Sequence, residues 1–582
     1  MPLQMQPLNT LVLVNRNSPL YREGFEMVLP YLDHFGVFYT LVDLAKEPFP
    51  DNTENYPLVI AVHCMLNEQE CAALLETARA GSGLVIFDAD FIGPGDPDRS
   101  NPAQKFSYAK SIVIEEPLHW INYLHQPGEE ISFVREILFQ PLKANRKNAI
   151  ITAGGKPFVS TQILENGRIV HWATAAWMHT QILGPLAGMD DIFWRSLVWA
   201  ARKPFVFRGL PPLVTMRVDD VAGMGANWSQ TPLYWIETAR QAGLKLGMGL
   251  FLYNLTEPAV NELRHHIQKG TAVALPEALG RPPRTEETRS FYYYPGGLPL
   301  LGDAGDEFLY FHHHQRRPWT QQEALLTLQA ADEWYSAHAP LPKSCLIGPH
   351  WYEFSSSVAA HLFDRWGVEF LSTTIGIDQA FQSDNPWLKM GPFRKFEETG
   401  TGGPSREHAG DRPVYYADFI ETGGRRFFNC ITEIRDIAGY EWAPDNYCAE
   451  TIERGIKEVR RALDSMALAV LFTHETDYLS KIQPQNLEKE LKGVVSGIAN
   501  YQPVYVTQDE GFRYVRATKT SHFRSCTFYP QSQTIEAIFA GYADTATSFQ
   551  VFYDVKGEVL SETVAIPAFQ KETKVTFLLP QH

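Results

Sequence analysis

The sequence predicts an α/β protein in three parts: a doubly wound N-terminal domain, a central incomplete (β/α) barrel and a small C-terminal β-sandwich. Three observations lead there. Strand-length apolar runs alternate with helix-length periodic segments over residues 1–205, the pattern that builds parallel sheets. Longer β–α units repeat over 206–520, and several of their strands run into charged residues or histidine, as strands do at the carboxyl face of a barrel. Over 521–582 the helical periodicity gives way to short alternating strands separated by turn residues.

In the first part "TLVLVNR", "YTLVDL", "PLVIAVHC" and "GLVIFDAD" read as strands. "YREGFEMVLPYLDHFG" has helical spacing, and "NEQECAALLETARAG" is a helix stopped by a glycine. "RIVHWATAAWM" and "DDIFWRSLVWAARKPF" supply a last strand and a closing helix, and "RGLPP" marks the junction. This part resembles the flavodoxin-like or class I amidotransferase-like accessory domains found beside sugar enzymes. Glutaminase chemistry needs a cysteine on a strained, glycine-flanked elbow. His63-Cys64-Met65 lacks those glycines, so Cys64 reads as a buried thiol. With no GxGxxG loop, no dinucleotide site is expected.

Composition narrows the function classes. The 582 residues are 45% hydrophobic and 20% charged, ordinary globular material with room for several cores. A net charge of −16 and no long basic run make nucleic acid and anionic membrane poor partners. No apolar run approaches the roughly 18 residues a membrane span needs. The opening "MPLQMQPLNTLVLVNRNSPLY" lacks a signal peptide's charged and apolar regions, so a cytoplasmic location is the expectation. The 6 cysteines are scattered with no CxxC pair, which argues against a zinc ribbon or a disulfide scaffold. Aromatics reach 13%, which large cores explain first and sugar-stacking surfaces second.

Chemistry concentrates in the second part. "LVTMRVDDV" is an apolar strand ending in Asp219 and Asp220. Two adjacent carboxylates are costly without a positive partner. A metal, with one Asp as ligand and the other as base, is one answer; capping by Arg217 or by helix-start amides is the other. "LAVLFTHETDYL" ends a strand at His474, which can give a proton to a leaving group near neutral pH, with Glu475 and Asp477 to orient it. A hydrogen-bonded surface histidine is the bland alternative. "IGPHWYEFSSS" places His350 after a Gly-Pro turn with Trp351 and Tyr352 next, as a ligand or a substrate clamp. In "FLYFHHHQRRPW", neighbours on an extended chain point to opposite faces, which limits His312, His313 and His314 to one or two ligands on a face.

The order strand–Asp-Asp, histidine, Pro-aromatic, strand–His resembles the NodB-like polysaccharide deacetylases, metal-dependent carbohydrate esterases on an incomplete α/β barrel. The resemblance covers a little over half the chain. It implies Asp219 as base, Asp220 as metal ligand and His474 as general acid. The family's metal motif, His-x-x-x-His followed by Pro, aligns His313 with the first histidine, but Arg317 precedes Pro318 where the second would stand. A guanidinium cannot bind a cation. "GPHWY" stands where the family has an Arg-x-Pro-aromatic loop, which makes His350 a further ligand candidate. The ligand set stays open: His312 with His314, His313 with His350, or Glu277 of "AVALPEAL" could complete a site with Asp220, or the metal is lost.

The resulting expectation is a hydrolase of carbohydrate acyl groups that uses a divalent ion, zinc, to polarise the acyl carbonyl and acidify a water. Its metal ligands would be Asp220, His313 and His350. An oligo- or polysaccharide would be held by Trp319, Trp351, Tyr352, Arg317 and Glu433. The runner-up is a metal-independent glycoside hydrolase pairing Asp219 or Asp220 with Glu433 or Asp436. A non-catalytic carbohydrate-binding relative is the third reading.

Overall fold

The computed structural model describes residues 5–88, 91, 106–143, 148–178, 189–227, 231–280, 308–373, 375–381, 394–395, 414–415, 417–430 and 442–580. The chain forms two compact units. One comprises Met1–Leu210, Asp464–Met466 and Ala517–His582; the other comprises Pro211–Leu463 and Ala467–Arg516.

The first unit is built on a nine-stranded sheet. Five strands run parallel in the order Tyr39–Asp43, Thr10–Val14, Leu58–Val62, Gly83–Phe87, Gly167–Trp172. The middle three of these are buried along their whole length, which is why they read as unbroken apolar runs. The helix Glu68–Arg79 begins at Asn67, whose side chain accepts from the Gln69 and Glu70 amides while Glu70 reaches back to the Asn67 amide. The parallel pairing expected from the sequence holds only over this half. Beyond Gly167–Trp172 the sheet continues antiparallel through Lys156–Leu164, Ala149–Ala153, Ser107–Ile114 and Glu130–Phe139.

The C-terminal strands form a two-sheet sandwich, but each sheet takes in a strand from the N-terminal part. Gln6–Pro7 pairs with Ser521–Tyr529, and Phe205–Phe207 pairs with Thr547–Val555. The two sheets bury a common core that includes Leu8, Val206, Phe539, Phe549 and Ile566. Arg208, only 4% exposed, ties the pieces together by donating to the Ser521 carbonyl and hydroxyl and to the Thr547 hydroxyl.

In the second unit the strands Ala272–Ala278, Leu246–Phe251, Leu213–Val221 and Ala469–His474 lie side by side and parallel. Their carboxyl ends therefore share one edge of the sheet. A second sheet holds Leu346–Ile347, Phe370–Leu371, Arg425–Cys430 and Ala417–Thr422. Among the described residues these sheets do not join into a closed barrel. No described helix is long and apolar enough to cross a membrane.

Candidate metal centre

The shared sheet edge gathers charge. In Leu213–Val221 the register against Leu246–Phe251 shifts between Val218 and Val221, and Asp220 takes a left-handed φ of 55°. Such a conformation is strained for a residue with a side chain and recurs where geometry serves a site. The bulge lets neighbouring aspartates act together although a regular strand would send them to opposite faces.

Asp219 is held by Arg217, two residues earlier on the same face. Arg217 Nε donates to Oδ1 at 2.8 Å and Nη2 donates to Oδ2. The guanidinium also lies 5.1 Å from the centre of the Phe472 ring. Space for it comes from Gly348, where a Cβ would stand 2.8 Å from Arg217 Nη2. Across the sheet Asp219 is in register with His474, whose charge bears on both aspartates.

Asp220, Glu277 and His350 converge, with one ligand atom from each lying within 4.8 Å of the others. Glu277, 2% exposed, accepts the Asp220 amide on Oε2 at 3.0 Å and lies 2.6 Å from His350 Nδ1 through Oε1. His350 Nδ1 is 3.5 Å from Asp220 Oδ1, and the ring is flanked by Phe251 and Phe308 at 5.3 and 5.1 Å. Asp220 Oδ1 is buried and accepts no hydrogen bond, while Oδ2 has only Thr476 Oγ1 at 3.4 Å. No other such group of three occurs among the described residues.

The electrostatics of the arrangement is compatible with a cation. Burial pushes the Asp219 carboxyl up, opposed by Arg217 and reinforced by Glu277. Burial and the Glu277 charge push Asp220 up to about 7 against His350. For Glu277 burial acts upward too, but His350, the Asp220 amide and Arg217 outweigh it and hold it low. Two buried carboxylates, Asp219 and Glu277, and the half-buried Asp220 thus share one guanidinium and two imidazoles. A divalent ion beside Asp220 would supply positive charge, and two carboxylate oxygens with one imidazole nitrogen are a donor set that could hold one.

The ligand group matches one of the open alternatives, Glu277 with Asp220, and includes His350. His313 is not part of it. Its Nδ1 lies 2.7 Å from Glu353 Oε2, and its ring stacks on Phe308 and Trp351. Glu353, 1% exposed, also accepts the Phe381 amide. His312 is buried against Trp319, with ring centres 4.7 Å apart. Trp319 is itself only 3% exposed, so it has no free face for a sugar, and Tyr352 is buried as well. Arg317 is committed to Glu323, donating from Nη1 and Nη2 at 2.9 and 2.8 Å, which ties it to the capping box of the helix Gln321–Ala337. Trp351 alone of the expected stacking residues is open, 44% exposed, with a left-handed φ of 54°. Glu433 and Asp436 lie outside the described residues.

Glu475 does not orient His474. It is buried and accepts four N–H groups: the Ala222, Gly223 and Met224 amides and the Trp235 indole. It fastens the chain leaving Asp220. Asp477 is exposed. Cys64 is buried as read, its thiol donating to the Leu13 carbonyl and pushed upward by burial. The sequence reading passed over Glu353 and the glycines. The spacing of Gly247 and Gly249 in "LGMGLF" is a usable signal, since strand glycines two apart clear one face for a close neighbour.

No protein-family model and no curated protein matches the sequence. Solved structures give partial likenesses. A cytoplasmic protein from Salmonella typhimurium LT2 aligns over 33% of this chain and 100% of its own, at 12% identity and a TM-score of 0.26. A ThuA-like protein from Parabacteroides merdae aligns over 34% of this chain and 90% of its own, at 17% identity and a TM-score of 0.25. A β-galactosidase from Rahnella sp. R3 aligns over 35% of this chain and 34% of its own, at 15% identity and a TM-score of 0.23. Likenesses of this size assign neither an activity nor a substrate.

Proposed function

We propose that Asp220, Glu277 and His350 hold a divalent cation and that the chain is a metal-dependent hydrolase of acylated carbohydrate. The observation that carries the cation is the buried Asp220 Oδ1, which has no hydrogen bond and lies 3.5 Å from His350 Nδ1, in a group whose three ligand atoms lie within 4.8 Å of one another. When bound, such an ion supplies Lewis-acid polarisation of an acyl carbonyl and acidifies water.

The chain's own groups have distinct tasks in this reading. Asp219, next to the ligand Asp220, takes the proton from the attacking water. Arg217 fixes its carboxylate through two N–H bonds, so the base is positioned before substrate arrives. His474, in register across the sheet, delivers a proton to the departing alkoxide or amine. Trp351 offers an open ring beside His350 on which a sugar can stack.

The test pairs metal analysis of protein purified without a histidine tag with acetate release from acetylated oligosaccharides. About one divalent ion per chain is expected, lost in Asp220→Asn and retained in Asp219→Asn, with both variants inactive. Acetate release from metal-free protein that chelator leaves unchanged overturns the reading.

A further inference from the structure

The first unit contains a cavity of about 820 Å³, within the range of small-molecule sites. None of its walls comes from the cluster described above. Arg168, Arg202, Lys203 and Lys556 line it against a single carboxylate, Asp554, with Tyr553 as an aromatic wall. Four cations around one cavity stand out in a chain of net charge −16.

Most of these cations are held in place without being neutralised. Lys203 Nζ donates to the Val198 and Ala201 carbonyls, the free carbonyls at the end of the helix Asp190–Ala200. Two of its three protons are used, leaving one for a ligand. Arg202 donates to the Glu54 and Asn55 carbonyls. Arg168 donates to the Trp199 carbonyl and, at 3.2 Å, to Asp554, while its guanidinium lies over the Trp199 ring. Among the described residues, Arg202, Lys203 and Lys556 have no carboxylate within ion-pair distance. Neutral carbonyls orient a cation but leave its charge unbalanced, and a partly buried charge without a counter-charge is costly. Burial, with Arg168 adding to it and Asp554 opposing, brings the Lys203 ammonium down to about 7, as befits a cation short of negative neighbours.

We infer that this cavity binds a small molecule bearing an oxyanion, a phosphate ester or a carboxylate. Each Nη of Arg168 and Arg202 donates once within the protein and keeps a second N–H for such a group, and the remaining Lys203 proton gives a further donor.

The experiment is titration calorimetry of the full chain at about 0.1 M salt. The probes are inorganic phosphate, a hexose 6-phosphate, a hexuronate and the neutral hexose. Saturable binding of at least one oxyanion, absent for the neutral hexose, is expected. The probe that binds more tightly identifies phosphate or carboxylate as the natural group. Lys203→Met should abolish binding. Lys556→Glu, at an exposed position that leaves the fold intact, should weaken it roughly tenfold. No heat with any oxyanion up to about 10 mM, or binding that Lys556→Glu leaves unchanged, overturns the inference.

Discussion

Gly249→Ala tests the crowding on which the candidate centre depends. Gly249 lies in the strand between those that carry Asp220 and Glu277. A Cβ there would stand 2.2 Å from Glu277 Oε2 and 3.1 Å from Asp219 Oδ1. Glu277 has no easy retreat, because its two oxygens are engaged by the Asp220 amide and His350 and the residue is 2% exposed. Overfilling such a site costs about 1–3 kcal/mol. Displacing Glu277 strands the Asp220 amide, for about 1–3 kcal/mol more. At roughly 2–4 °C per kcal/mol, the melting temperature should fall by about 4–24 °C. Metal binding adds a second readout. A divalent ion at a hundred times its Kd stabilises the wild type by about 2.7 kcal/mol. A loss of affinity on the order of 10–100-fold cuts that to about 0.4–1.4 kcal/mol at the same concentration. Scanning calorimetry with chelator and with zinc or manganese measures both. A variant that melts within about 1 °C of the wild type and keeps its full metal-induced shift would refute the reasoning.

Three further outcomes follow from other parts of the molecule. Glu475→Gln turns an acceptor toward four N–H groups into a partial donor, so urea unfolding should show about 2–4 kcal/mol of lost stability; a loss below about 0.5 kcal/mol would contradict the anchoring role. Trp351→Ala should leave stability within about 1 kcal/mol but raise KM for an acylated oligosaccharide roughly 2- to 13-fold; unchanged KM would remove Trp351 from the substrate surface. His125 lies 3.1 Å from buried Asp191; burial lowers its pKa, but Asp191 and Glu129 outweigh that and raise it to about 10. A raised folded value means stability fully present below about pH 6.5 and lost as pH climbs toward 10, at no more than about 1.4 kcal/mol per pH unit. The stability gap between wild type and His125→Gln should therefore close over that window, and a constant gap would exclude the linkage.

Much of the central site was legible because strands buried on both faces betray themselves as apolar runs, and whatever charge ends them is conspicuous. Asp219, Asp220, His350 and His474 stand out in this way, and Glu277 emerges by the same logic from "AVALPEAL". His313 misled because its choice rested on the spacing to Pro318 alone. Spacing along the chain does not report that Glu353, forty residues on, takes up its Nδ1. Trp319 and Arg317 misled for a related reason: an aromatic ring and a guanidinium look the same in a sequence whether they meet a ligand or a neighbouring side chain. The antiparallel half of the N-terminal sheet and the pairing of Gln6–Pro7 with Ser521–Tyr529 depend on partners far apart in the chain, which no local periodicity encodes.

That last pairing governs the order in which the protein can be finished. Arg208 and its partner Ser521 are 313 residues apart, and the strand just before Arg208 and the strand Gln6–Pro7 find their sheet neighbours only after position 521 has been made. At about 5–20 residues per second, a ribosome needs roughly 15–60 s to cover that distance. During this interval Gln6–Pro7 and Phe205–Phe207 have open edges, and Leu8 and Val206 lack the core that later covers them. A nascent chain of this kind is a natural client for chaperones. Truncation before Ser521 should leave it exposed indefinitely, even though every residue of the nine-stranded sheet is already present.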